Sequence, residues 1–122
     1  MITQKNFVMV AAWLEIGMGA SLVAMFDVAC GLLFAVTPEG VAIPLARIAG
    51  ITLIALGISC LPSRAAGPGG SAVVGLLIFN VGTTILLVWV AVATPFRGVL
   101  LWPVAVLHGF IAAALSASLF PM

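Results

Sequence analysis

The chain carries three carboxylates, four basic side chains and one histidine among 122 residues. Lys5, Glu39, Arg64 and Arg97 fall near the N-terminus or in turns, where water reaches them. Glu15, Asp27, Arg47 and His108 instead lie inside long apolar runs. An ionised side chain at the centre of a bilayer costs at least ~2.5–3.5 kcal/mol on insertion scales, so such groups face the protein interior, find partners, and mark candidate sites. A carboxyl in low dielectric is costly as an anion. Glu15 is therefore a candidate proton carrier, or a protonated carboxyl hydrogen-bonded to a neighbour. Asp27 and Arg47 are a candidate ion pair. That pair would either fix helix register or leave Arg47 to bind an anionic headgroup or substrate. His108 reads as a hydrogen-bonded packing residue, and Asn80, Thr83 and Thr84 as interhelical hydrogen-bonding groups.

The elements that must position these residues follow from composition. The chain is 65% hydrophobic and 6% charged, against about 25% charged in soluble domains. A water-soluble fold so poor in charge could not cover its surface. A helix needs about 20 apolar residues to cross the hydrocarbon core. Four stretches qualify, at about 7–36, 41–61, 72–93 and 98–120. Their separators are turn-like: Thr37-Pro38-Glu39-Gly40, the Gly- and Pro-rich run from Pro62 to Ser71, and Thr94-Pro95-Phe96-Arg97. Short connections make neighbouring helices antiparallel. The expected architecture is an all-α membrane protein, a single domain of four transmembrane helices running up-down-up-down. The first run is too long for a signal-peptide core, so no cleavage is expected. Lys5 and Arg64 on one side against Arg97 on the other place both termini in the cytoplasm, in an inner (plasma) membrane. Trp13, Trp89 and Trp102 sit where interfacial aromatic belts would lie.

Folding the first two spans about the turn near residue 38 sets Asp27 level with Gly50, one helical turn from Arg47. The same operation on the second hairpin brings Asn80 to the depth of Glu15, and puts His108 near mid-membrane beside Thr83 and Thr84. A loose internal echo relates Phe26-Asp27-Val28 to Phe79-Asn80-Val81, each followed by Thr-Pro and Gly-Val. It suggests two hairpins related by an axis along the membrane normal. Gly50 and Gly57 mark one face of the second span, and Gly17 to Ser21 is a run of small residues, both suited to close helix approach.

Several functions are excluded or unsupported. A net charge of +1 gives no nucleic-acid footprint. Cys30 and Cys60 are widely separated, with no metal-ligand or redox spacing, and read as small buried residues. No catalytic triad, zinc-protease or phosphate-loop motif occurs, and the turns are too short for a catalytic domain. Neither catalytic residues, a metal site nor an enzyme acting alone is expected.

Leu45-Ala46-Arg47-Ile48-Ala49-Gly50 through Ala55-Leu56-Gly57, with the Leu101-Trp102-Pro103 to Leu107-His108 stretch, resembles small bacterial four-helix proteins of the DoxX-like type. That resemblance covers about half the chain. It implies a four-helix membrane fold, sometimes linked to membrane redox complexes, and transfers no catalytic residue. Trp13-Leu14-Glu15-Ile16-Gly17 is similar to the proton- and substrate-binding Glu region of the small multidrug resistance family. The second span lacks that family's aromatic Tyr-Ala-x-Trp pattern, the chain has no Tyr, and Arg47 is foreign to a cation exporter. Two functional expectations follow. One is an accessory subunit packed among other membrane subunits or in a homo-oligomer, binding membrane lipid or quinone near Arg47, Asp27 and His108 and otherwise free of cofactors. The other is a proton-coupled small-molecule transporter using Glu15.

Overall fold

The computed structural model describes residues 4–61 and 70–120. Arg64, which contributes to the expected orientation, lies outside the described residues. The described residues form five helices: α1 (Gln4–Ala24), α2 (Phe26–Phe34), α3 (Ala42–Cys60), α4 (Ser71–Ala93) and α5 (Leu101–Leu119). All but α2 are long and apolar enough to cross a membrane. The chain is an all-α, multi-pass membrane protein.

The first apolar run was expected as one helix over 7–36. It divides at Met25, whose backbone leaves the helical region (φ −136°, ψ 50°). Thirty helical residues would extend about 45 Å, well beyond a hydrocarbon core of about 30 Å. The 21-residue α1 suffices alone. Neither Pro nor Gly marks the break. Asp27 lies in the first turn of α2, where a carboxylate favours a new helix N-terminus.

α1 packs chiefly on α3, and α4 chiefly on α5. The α1–α3 contact is a backbone approach through Gly19 and Gly50. A Cβ on Gly19 would stand 2.5 Å from the Gly50 carbonyl oxygen, and one on Gly50 would stand 2.6 Å from that of Gly19. Gly57 meets the Ala12 backbone two turns away. Gly19, not Asp27, therefore lies opposite Gly50. The expected register is displaced by 27 − 19 = 8 residues, about 12 Å, because the chain turns aside at Met25 rather than continuing straight to residue 36.

α2 crosses from the first pair towards α5. Its last turn is held by the turn after α4: Gly98 N–H donates to the Leu33 carbonyl (3.0 Å) and Leu100 N–H to that of Leu32 (2.9 Å). These are the carbonyls a helix C-terminus leaves without partners. A Cβ at Gly98 would collide with the Leu32 backbone, so this junction admits glycine alone.

Two apolar clusters stabilise the interior. Val8, Ala11, Ala12, Cys60, Val73, Leu76, Ile111 and Leu115 form one; Leu87, Ala91, Leu101 and Ala105 form the other. Outside, Trp13, Trp89 and Trp102 are exposed with many Ile, Val and Phe side chains, as a lipid-facing surface requires. The internal echo does not extend to equivalent environments: α4 is continuous where α1 and α2 are divided, and Asn80 is buried where Asp27 is exposed.

Candidate functional site

Between the two apolar clusters lie three buried polar side chains. Glu15 and Asn80 are fully buried and His108 is 1% exposed. They come from α1, α4 and α5. Glu15 follows Ala11 and Ala12 on the buried stripe of α1. Asn80 lies between Leu76 and Leu87 on α4, and His108 between Ala105 and Ile111 on α5. Counted from the ends of their helices, all three sit in the middle part of the membrane. The expected depths set Glu15 with Asn80 and His108 apart from them; the structure brings all three together.

Asn80 is the pivot. Its Nδ2 donates to the Leu76 carbonyl one turn back (2.8 Å) and to Glu15 Oε1 (3.4 Å). Both amide protons are thereby directed to acceptors, which leaves Oδ1 to face His108 Nδ1 at 2.7 Å. An oxygen there demands that Nδ1 carry a proton, so Asn80 sets the histidine tautomer. The neutral ring then presents a bare lone pair at Nε2. His108 Nδ1 also lies 3.9 Å from Glu15 Oε1, the one ion-pair contact among the described residues. The Phe79 ring meets the imidazole edge-on at 5.7 Å. Glu15 Oε2 and His108 Nε2 are buried without a hydrogen-bond partner. Such atoms are rare in native interiors and point to a water, a ligand or a functional role.

The arrangement can hold a proton on either of two groups joined through one amide. A proton on Glu15 removes its charge; a proton on His108 creates an ion pair with the Glu15 carboxylate. Moving it changes the charge distribution of the buried interior without requiring a large side-chain displacement.

Thr83 is half-buried and takes no part in this network. Thr84 donates to the Asn80 carbonyl in its own helix (2.8 Å) and not across helices, as threonine in membrane helices commonly does. The expected Asp27–Arg47 ion pair is absent. Both residues are exposed, and the Arg47 guanidinium lies over the Phe26 ring, 5.2 Å from its centroid. The break at Met25 removes the register on which the pair depended. Arg47 instead anchors the first residue of α2 through a cation–π contact. No group of three or more potential metal ligands occurs among the described residues. Cys30 and Cys60 are buried free thiols, and Cys60 donates to the Ala72 carbonyl at 3.3 Å.

An apolar cleft of about 230 Å³ opens between α1, α2 and α5, lined chiefly by Met18, Leu22, Met25, Ala29, Leu33 and Val104. Sequence reading missed it because it exists only where α2 departs from α1. Met18 is one turn from Glu15 on α1, and Val104 one turn from His108 on α5. None of the three polar residues lines the cleft itself.

No protein-family model, curated protein sequence or solved structure matches this chain, so its function rests on the geometry described above.

Proposed function

We propose that this protein is a proton-coupled carrier of small molecules, in which Glu15 and His108 exchange a proton as a substrate enters the bundle. The observation that supports this reading is the Glu15–Asn80–His108 cluster: two ionisable groups, fully buried, 3.9 Å apart, each with one unpartnered polar atom. An arrangement serving stability alone would satisfy those atoms or replace them with apolar groups, since half-satisfied buried polar networks destabilise.

The test uses purified protein in vesicles loaded with the pH dye pyranine. Gradients of tetraphenylphosphonium, benzoate and p-ethylphenol are imposed in turn. At least one should change luminal pH in the wild type, and Glu15→Gln should reduce that change to the level of empty vesicles. Silence with every probe, or an undiminished response in Glu15→Gln, contradicts the reading.

A second reading is supported by a different observation. Asp27 and Arg47 are exposed among many apolar side chains. In lipid such charges gain from polar partners, which favours an accessory role beside other membrane subunits or anionic headgroups. Copurifying membrane proteins lost on Arg47→Leu would support it; a clean single species in mild detergent would contradict it.

A further inference from the structure

We infer that Arg47 and Asp27 together hold the headgroup of one phospholipid bearing a primary amine, its phosphate on Arg47 and its ammonium on Asp27. The inference takes from the second reading above only that charges in lipid gain from polar partners, and it is independent of proton exchange at Glu15 and His108.

Depth sets the first limit. With Gly19 opposite Gly50 and Ala12 opposite Gly57, Arg47 stands level with Leu22 on α1. Its guanidinium nonetheless lies over the ring of Phe26, one turn further towards the membrane face at which α1 ends. That is the outward reach of a snorkelling arginine, with its stem along the helix and its charge at headgroup level. Asp27, the next residue after Phe26, lies in the first turn of α2.

Hydrogen bonding sets the second. Arginine carries five N–H donors in a planar fork that matches a phosphate. Among the described residues no acceptor meets those of Arg47, and no cation pairs with Asp27. Both side chains are exposed. A phosphate-seeking group and an ammonium-seeking group thus stand near one aromatic ring without satisfying each other. An ethanolamine headgroup carries a phosphate and a primary ammonium two carbons apart, with N–H donors for the carboxylate. A choline headgroup has no N–H to give. A glycerol headgroup meets Arg47 but leaves Asp27 beside a second anion.

The surface inward of Arg47 sets the third. Ile51, one turn deeper on the same face of α3, is exposed, and so is Ile58 about two turns beyond it. A cation at the membrane face with an apolar stripe leading inward follows the order of a phospholipid, headgroup first and chains below. A soluble phosphate ester has nothing to lay against that stripe.

The experiment is native mass spectrometry of the purified protein in mild detergent. The protein is offered an equimolar mixture of phosphatidylethanolamine, phosphatidylcholine and phosphatidylglycerol with identical acyl chains. One phosphatidylethanolamine per chain should be retained, about fivefold over either competitor, the ceiling for an exposed ion pair. Asp27→Asn should remove that preference while keeping wild-type melting, and Asp27→Lys should turn it towards phosphatidylglycerol. Arg47→Gln should weaken retention of all three lipids. Equal retention by the wild type, or a preference for either competitor, overturns the headgroup. A preference that survives Asp27→Asn overturns the role of Asp27. Displacement of the lipid by an equal concentration of glycerophosphoethanolamine overturns a lipid as the source of the phosphate. Membrane proteins lost on Arg47→Leu, without lipid selectivity, leave the second reading standing and overturn this one; lipid selectivity in a clean single species does the reverse.

Discussion

At the scale of single residues, Asn80 makes the polar cluster a unit. It donates to Glu15 and to its own helix while accepting from His108. Asn80→Leu should leave Glu15 Oε1 and His108 Nδ1 without partners. The expected loss is about 1–3 kcal/mol, measurable by thermal or SDS unfolding in detergent. Glu15→Gln keeps shape and hydrogen-bonding capacity and removes the exchangeable proton. It should leave the unfolding midpoint close to wild type while abolishing the pH response, a separation that a purely structural carboxyl would not give. The sequence makes the presence of buried polar residues plain, because charges in apolar runs are conspicuous. Their partners are less legible. Glu15 and Asn80 share a depth on simple hairpin geometry, but His108 meets Asn80 rather than Thr83 and Thr84 one turn along, a contact that no spacing in the sequence encodes. Asp27 and Arg47 matched in charge and in expected depth and do not pair.

At the scale of helices, small residues decide how closely backbones meet. Gly17 and Gly19 look alike in the sequence. Only Gly19 faces α3; a Cβ on Gly17 would meet nothing within 4 Å. Gly50→Ala should therefore cost about 1–3 kcal/mol or more, the range for overpacking, because the opposing atoms are rigid backbone. Gly17→Ala should be neutral or slightly stabilising, since alanine is the better helix former. Paired unfolding curves check both. The four spans are legible from length and hydropathy alone. The break at Met25 is not, since no Pro or Gly announces it. It follows from a run too long for the bilayer and from tertiary anchors: Arg47 on Phe26, and Gly98 and Leu100 on the end of α2. Gly98→Ala should release that end. Faster hydrogen–deuterium exchange at the Gly98-Leu100 segment and in α2, with α4 and α5 unchanged, is the expected result.

At the scale of the whole molecule, two helix pairs meet around buried polar groups at mid-depth, with apolar clusters towards either end. Alternation of the four candidate spans among the described residues sets Lys5, at the start of α1, and Arg97, after α4, at opposite ends of the bundle. Impermeant thiol labelling of single cysteines introduced at Lys5 and Arg97 should mark opposite faces. The central claim is that the buried cluster exchanges a proton. It is tested most directly by infrared titration of the carboxyl C=O band in nanodiscs, comparing wild type with Glu15→Gln. The account predicts a band assignable to Glu15 that appears and vanishes reversibly with pH. A Glu15 band unchanged at every pH would contradict it.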